Sequence, residues 1–351
     1  LLLNAAVYLF LDEILLFLQI PAELAADMRT YLLIIFAGLL ATSVYNFFAC
    51  LLRAVGNSVA PLWFLGISAL LNIGLDLLFV LVFHWGIAGA AWATVIAQYM
   101  SGVGILWFFL AKCKHLLPKK KELHYDRAIL KDIFQLSSLT CVQQSVMNFG
   151  ILMVQGLVNS FGATVMAAFA AAVKIDTFAY LPVQDFGNAF STFIAQNFGA
   201  GRAGRIRRGI RSAVIVTTLF SLAVSALVFW LSPWLMSLFV SEAESGIIAI
   251  GVEYLRIEGS FYVGIGWLFL LYGLYRAVAL PSMSVVLTVV SLGTRVALAY
   301  ALAAIPSVGY TGIWWSVPIG WALADIIGLW YYRRRRDTLM SFGGYRMTAP
   351  Q

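Results

Sequence analysis

The sequence predicts an all-α integral membrane protein with about ten transmembrane helices in two pseudo-symmetric lobes. Three observations lead to this prediction. Of the 351 residues, 62% are hydrophobic and only 11% are charged, and the mean hydropathy is +0.90. The apolar residues form runs long enough to cross a bilayer, with basic residues at alternate joints between the runs. An internal repeat relates the two halves of the chain.

The composition excludes several classes of protein. Soluble domains carry about 25% charged residues, so the surface of this chain could not face water, and a disordered, collagen-like or disulfide-stabilised chain is excluded as well. Cys50, Cys113 and Cys141 stand singly, and the three histidines lack metal-ligand spacing. The net charge of +7 is concentrated in short segments. This distribution of charge therefore indicates how the chain is oriented in the membrane. We expect no nucleic-acid partner.

Ten stretches reach the length of about 20 mostly apolar residues that a membrane-crossing helix needs. Strands of an outer-membrane barrel would alternate apolar and polar residues, whereas these runs are continuous. Proline and glycine mark several joints, as at Pro21, Gly56 and Pro306. The predicted spans, in order, are 1–20, 31–52, 62–83, 87–111, 137–160, 164–186, 210–232, 250–274, 282–304 and 311–332.

The basic residues predict the orientation of these spans. Basic segments follow the fourth, sixth and tenth spans at 112–131, 202–211 and 333–336, and Arg53 and Arg276 mark the ends of the second and eighth. The joints after odd-numbered spans are neutral or acidic. The positive-inside rule therefore places the even joints and the C-terminus in the cytoplasm of a multi-pass protein of the cell membrane.

An offset of 223 residues superimposes the two halves of the sequence. It maps 31–34 (YLLI) onto 254–257 (YLRI) and 53–55 (RAV) onto 276–278 (RAV). Equivalent spans are six apart, so both halves have the same orientation, as in the parallel repeats of some transporters. The offset also aligns Gly86, Gly89 and Trp92 with Gly309, Gly312 and Trp315.

The repeat predicts the domain organisation. Residues 1–111 form an N-terminal lobe of four spans, 112–136 a basic cytoplasmic linker, 137–332 a C-terminal lobe of six spans, and 333–351 a cytoplasmic tail. Because the first lobe has two spans fewer than the second, we expect a parent of six plus six helices. About 85 residues would then precede Leu1.

The candidate chemistry lies on the third and fourth spans. A carboxylate inside a span is costly and therefore indicates function. Asp76 lies within the third span, and Asn72, four residues earlier, shares its helix face. Thr94 and Gln98 have the same spacing on the fourth span. These oxygen atoms could bind Na⁺ or relay protons; alternatively, the polar side chains only join neighbouring helices.

Charged residues also lie within the sixth, ninth and tenth spans. Lys174 and Asp176 are two residues apart and point in different directions. Asp176 and Asp185 are assigned structural or gating roles, with Lys174 as a candidate contact in a substrate cavity. Arg295 has a structural role and could pair with Asp325.

Several motifs resemble those of the multidrug and toxic compound extrusion (MATE) transporters. They occupy residues 52–61 (LRAVGNSVAP), 71–76 (LNIGLD) and 86–94 (GIAGAAWAT) in the first lobe, and 158–162 (VNSFG) and 195–201 (AQNFGAG) in the second. The resemblance covers essentially the whole chain, from about the third family helix to the twelfth, and is to bacterial members. It implies a monomer that lies among membrane lipids and exports a small organic substrate.

The resemblance also implies roles for individual residues. Archaeal MATE transporters have a first-lobe cation site whose residue types and spacing match Asn72, Asp76 and Thr94. By the same comparison Asn46 becomes a candidate for the substrate cavity. Gln98, from its spacing on the fourth span, is a further candidate there, although a contact between helices is the favoured role for it. That family site also uses an aspartate on the first helix, in the segment that we expect before Leu1.

A second family pattern is not matched. Some members hold their cation with acids on the seventh and tenth helices, but the fifth span here has no acid. Glu253 and Glu258 lie near the outer end of the eighth span, and the deeper position is Ile265. We therefore expect the second lobe to lack such a site and the first lobe to couple transport to an ion.

The function predicted from these features is cation-coupled antiport. H⁺ or Na⁺ would drive the export of organic, often cationic, compounds by alternating access of two lobes. No cofactor and no metal beyond a possible Na⁺ at Asp76 is expected. A lipid-linked oligosaccharide flippase of related architecture is the alternative, although it would need a more cationic cavity. A membrane enzyme is disfavoured because no HExxH pair, His-rich cluster or Ser/His/Asp set is present.

Overall fold

The computed structural model describes residues 2–11, 13, 22–117, 125–241 and 243–339. Of the predicted first span, 1–20, residues 2–11 and 13 are among these, whereas Asp12 and residues 14–20 lie outside them. The helices are α1 (Leu2–Leu9), α2 (Ala22–Ala37), α3 (Leu39–Ala54), α4 (Val59–Asp76), α5 (Gly86–Lys112), α6 (Arg127–Asn159), α7 (Ala163–Gly199), α8 (Ala203–Ser237), α9 (Ser245–Gly259), α10 (Tyr262–Ala277), α11 (Pro281–Ala303) and α12 (Thr311–Leu339).

The chain divides into two compact units, 1–125 and 126–351. Within the described residues, eight helices are long and apolar enough to cross a membrane, and the bent pair α9 and α10 makes a ninth candidate span. The predicted all-helical membrane fold with two lobes is confirmed. The boundary between the units lies inside the predicted linker 112–136.

Helix α5 is the centre of the first unit, because α2, α3 and α4 all pack against it. Helices α2 and α3 form one span that is interrupted at Gly38. Helix α4 continues from Asp76 directly into a π-helical turn, Leu77–Val82. The Ser68 hydroxyl donates to the Ala97 carbonyl oxygen at 2.6 Å, so a small residue lets α4 approach α5 closely, as is common in membrane proteins.

The second unit contains α6 to α12. Its largest interhelical contacts join α11 to α12 and α7 to α10, and α9 packs on both α7 and α8. The predicted span 250–274 is not one helix: it breaks after Gly259, and α9 and α10 meet at an angle of 51°. The sequence predicts a single span because the stretch is apolar on average, although Arg256, Glu258 and Ser260 lie next to the break.

Two helices extend beyond the ends of their predicted spans. Helix α6 begins at Arg127, inside the predicted linker, since the Asp126 carboxylate caps its first turn and accepts from the backbone N–H of Ala128 at 2.7 Å. Helix α12 continues through the arginine run to Leu339. The beginning of the predicted tail, 333–351, is therefore helical.

The structure reproduces the internal repeat in its turns. Helix α3 ends in a turn where the Asn57 N–H donates to the Leu52 carbonyl at 2.9 Å, and α10 ends in the same turn, with Leu280 N–H donating to Tyr275 at 2.8 Å. The residue before each donor is left-handed, with φ of 91° at Gly56 and 59° at Ala279. The offset of 223 residues maps each position of one turn onto the other.

Replacing Ala279 by glycine is expected to stabilise the protein. An L-residue in the left-handed region costs roughly 1–2 kcal/mol, part of which is offset because glycine gives the unfolded chain more freedom. We expect a net gain of about 0.5–1 kcal/mol, measured by unfolding of the purified protein in detergent. In the matched reverse substitution, Gly56→Ala should destabilise by a similar amount. Equal or lower stability of Ala279→Gly would contradict the strain argument.

Candidate functional site

An open cavity of about 310 Å³ lies in the first unit between α2, α5 and the junction of α4 with its π-helical turn. Asp76 and Thr94 supply its carboxylate and hydroxyl groups, and Tyr31 of α2 lies opposite them. The remaining lining residues are apolar: Leu77, Val80, Leu81 and Ala90. The cavity thus contains one acidic side chain and no basic one.

The backbone changes its helical winding immediately after Asp76. The Phe83 N–H donates to the carbonyl of Leu78, five residues back, at 3.0 Å, which is the bond pattern of a π-helix. Such turns are frequent at functional sites. The Asp76 side chain is half-buried, and its Oδ1 atom is buried with no hydrogen-bond partner. A buried oxygen in this state is stabilised when it gains a proton or a cation.

Asn72 and Thr94 meet across α4 and α5 beside Asp76. The Asn72 amide Nδ2 donates to the Thr94 Oγ1 over 3.5 Å, and the Thr94 hydroxyl donates to the Ala90 carbonyl oxygen at 3.0 Å. The bond between the two side chains is long, so it can yield to a ligand. The structure therefore places Asn72 against Thr94, and of the three residues Asp76 and Thr94 line the cavity. Their role in ion binding stays a prediction.

The two substrate candidates in the first unit lie away from Asp76. Asn46 is exposed on α3 and is not among the cavity residues. Gln98 packs against Gly38, where α2 and α3 are interrupted, and its Oε1 atom is buried without a hydrogen-bond partner. There is no room for a side chain at position 38 beside Gln98. This placement favours the alternative in which Gln98 joins neighbouring helices.

The charged residues of α7 lie in different environments. Lys174 and Asp185 are exposed, whereas Asp176 is only 5% exposed. The different directions of Lys174 and Asp176 agree with their spacing of two residues. The structure thus separates Asp176, which is in the interior of the second unit, from the other two.

Asp176 belongs to a buried polar cluster, which we define as Asp176, Tyr254, Glu258, Tyr262 and Arg295. The Tyr262 hydroxyl donates to Asp176 Oδ1 at 2.6 Å. Glu258 is 2% exposed, and its Oε2 atom has no hydrogen-bond partner. Tyr254 interacts with the Glu258 carboxyl group, and the Arg295 guanidinium acts electrostatically on both acids. Two carboxyl groups thus share one basic group away from water.

This cluster adds an observation that the sequence did not predict for the second lobe. Glu258 is buried in the interior beside Asp176, whereas the expectation that the lobe lacks a cation site built from acids on its fifth and eighth spans stays a prediction. No ion pair joins Arg295 to Asp325, although both are described; Asp325 Oδ1 is buried without a hydrogen-bond partner. The signal in the sequence was the spacing of Tyr254 and Glu258, four residues apart on one helix face.

Glu253, by contrast, is satisfied locally. The Thr311 hydroxyl at the start of α12 donates to Glu253 Oε1 at 2.8 Å. This bond ties α9 to α12 at the end of the unit where α12 begins. Glu253 is therefore a structural contact and does not belong to the buried polar cluster.

Comparison with known proteins identifies the family. The MatE family model matches residues 1–78 and 140–301, which is more than half of the chain. The chain belongs to the MatE family. The resemblance recognised in the sequence is thereby confirmed, and MatE proteins are transporters.

Two bacterial relatives of this MatE chain are similar along most of its length. The probable multidrug resistance protein YpnP of Bacillus subtilis is 32% identical over 335 residues, covering 93% of this chain and 73% of the relative. The probable multidrug resistance protein NorM of Thermotoga maritima is 25% identical over 318 residues, covering 89% of this chain and 66% of the relative. The MatE chain thus spans about two thirds to three quarters of their lengths.

A solved structure supports the MatE fold. The outward-facing conformation of a multidrug resistance MATE family transporter of the MOP superfamily matches with a TM-score of 0.90 and 21% identity. The match covers 96% of this chain and 75% of that one. At this identity the likeness establishes the fold alone.

Proposed function

We propose that this MatE protein exports small organic compounds, often cationic ones, from the cell by antiport against H⁺ or Na⁺. The names of its relatives support the export of drugs. The observation that carries the proposed mechanism is the Asp76 carboxylate, with a buried unpartnered oxygen at the wall of an open cavity. It acts in a multi-pass protein of the cell membrane, as a monomer, with its C-terminus in the cytoplasm.

Exchange follows from competition for one negative charge. A buried ionised carboxylate is costly unless it is neutralised. When H⁺ or Na⁺ binds Asp76, with Asn72 and Thr94 as neighbouring oxygen ligands, that cost falls and a cationic substrate loses its counter-charge. When the ion leaves, the substrate can return to the carboxylate. Alternating access then separates the two binding events on opposite sides of the membrane.

The lining of the first-unit cavity favours a drug antiporter over a flippase. A lipid-linked oligosaccharide carries pyrophosphate, which basic side chains would have to bind. The residues that line this cavity include Asp76 and no lysine or arginine. A cationic or neutral organic substrate fits this charge pattern, and a polyanionic one does not.

The test is dye export that depends on an ion gradient. The protein, expressed from its gene and purified, is placed in liposomes with an internal cationic dye such as ethidium. We expect dye movement when a Na⁺ or H⁺ gradient is imposed, and only background leakage when both gradients are absent. Equal dye movement with and without gradients would overturn antiport. Movement of a lipid-linked oligosaccharide, with none of the dye, would favour the flippase instead.

A further inference from the structure

A second cavity, of about 200 Å³, lies within the second unit. Four helices form its walls, and it lies near one end of them. We call it the arginine-end cavity. Its walls come from α7, α8, α10 and α12, and its lining is almost entirely apolar. The residues that line it include Phe190, Ile210, Val214, Leu271, Leu274 and Arg333.

The arginine-end cavity exists because two helices do not meet. Helices α8 and α12 each pack on α10 but make no substantial contact with each other along their described residues. The space between them is therefore left unfilled by the protein. In a bilayer, hydrocarbon rather than water surrounds the apolar side of such a gap.

The size and chemistry of the cavity indicate its occupant. Its volume is below the range of about 300–1,000 Å³ that is typical of pockets for drug-sized ligands. The polar group of Trp267 at its wall is already used, since Nε1 donates to the Thr218 hydroxyl at 2.9 Å. The cavity thus offers apolar surface for a narrow chain and little that would orient a polar molecule.

The rim of the cavity is positively charged. Arg333 lines it and is otherwise exposed. Arg207 lies three residues before Ile210, on the same face of α8 and one turn nearer the helix end. The neighbouring segments 199–211 and 327–336 contain arginines, and the acidic residue that follows the second segment is Asp337, four residues after Arg333. The arginines outnumber the acidic residues there, so an anionic group at the rim would meet net positive charge.

We propose that the arginine-end cavity binds an acyl chain of an anionic phospholipid, with the lipid phosphate held by Arg333 and Arg207. The apolar walls take the chain, and the arginines select the charge of the headgroup. Guanidinium groups suit this role because they bind phosphate oxygens through paired hydrogen bonds. The site is separate from the Asp76 cavity, which belongs to the other unit.

The test measures lipid binding to the purified protein in a neutral detergent, where no charged bilayer surface contributes. Phosphatidylglycerol is titrated and followed by native mass spectrometry, with phosphatidylcholine of the same acyl chains for comparison. We expect Arg333→Gln to weaken phosphatidylglycerol binding about tenfold, because a hydrogen bond to a charged group is lost. The matched control is Arg334→Gln, since Arg334 lies over the Trp330 ring, 5.4 Å from its centre, and should change binding by less than about twofold.

A second variant tests the acyl chain. Val214→Phe places a ring in the cavity and should reduce binding of both lipids, whereas glycerol phosphate, the headgroup fragment without chains, should not bind measurably. A diazirine in the lipid chain should label peptides from α8, α10 or α12. The proposal is overturned if phosphatidylcholine binds as tightly as phosphatidylglycerol, if both arginine variants behave alike, or if glycerol phosphate binds as well as the lipid.

Discussion

Replacing Asp76 by asparagine should abolish the release of bound substrate by H⁺ or Na⁺. Asparagine keeps the shape of the side chain but removes the negative charge for which the ion and a cationic substrate would compete. A hydrogen bond to a charged group contributes about 1.5–3 kcal/mol, so ion-stimulated release should fall at least about tenfold. The measurement is the release of a radiolabelled or fluorescent substrate from the purified protein when the ion is added.

The matched control is Asp185→Asn, which makes the same chemical change at an exposed position on α7. Release is expressed per correctly folded protein, and for this variant it should keep its normal ion dependence. A normal ion response in Asp76→Asn would contradict the proposed coupling site. If Glu258→Gln then removed the ion response, the coupling carboxylate would lie in the buried polar cluster of the second unit.

Replacing Arg295 by glutamine should destabilise the second unit strongly. Arg295 is the basic member of the buried polar cluster, and without it Asp176 and Glu258 would face each other in the interior with no positive charge. Leaving a buried charge without its partner costs about 3–5 kcal/mol. Because Arg295 is half-buried and its Nε atom has no hydrogen-bond partner, we expect a smaller loss of about 2 kcal/mol, measured by chemical unfolding in detergent.

A double substitution separates this electrostatic effect from lost packing. Adding Glu258→Gln to Arg295→Gln removes one of the two acids and should restore at least about 1 kcal/mol. The control is Arg256→Gln on α9, an exposed arginine 5.3 Å from the centre of the Phe229 ring, where a loss of about 0.5–1 kcal/mol is expected. If Arg295→Gln is as stable as the parent, or if Glu258→Gln gives no rescue, the cluster is not held by charge.

The spans and their repeat could be predicted because a bilayer imposes them on the sequence. Every crossing helix needs an apolar run of similar length, and the duplicated glycines and arginines fix the offset between the halves. The break after Gly259 was not predicted, although Arg256, Glu258 and Ser260 beside it are a local signal in the sequence. The π-helical turn at Leu77–Val82 was hidden, because its six apolar residues suit an α-helix equally well.

The candidate sites show the same limit. Helical spacing was enough to bring Asn72 near Asp76 and to pair the third span with the fourth. The burial of Glu258 could not be predicted, because it depends on which helices pack around the end of α9. The grouping of Asp176 with Tyr262 depends on contacts between residues 86 apart in the chain, which no local pattern encodes.

The matching turns after α3 and α10 also bear on the ancestry of the chain. The same pair of backbone hydrogen bonds closes both turns, yet one has Gly56 and the other Ala279 at the left-handed position. Glycine adopts that conformation freely, whereas alanine does so only at a cost. Duplication of one segment would give both halves the same turn, and the two turns now carry different residues at the left-handed position. The backbone conformation is thus shared by the two halves where the residue is not.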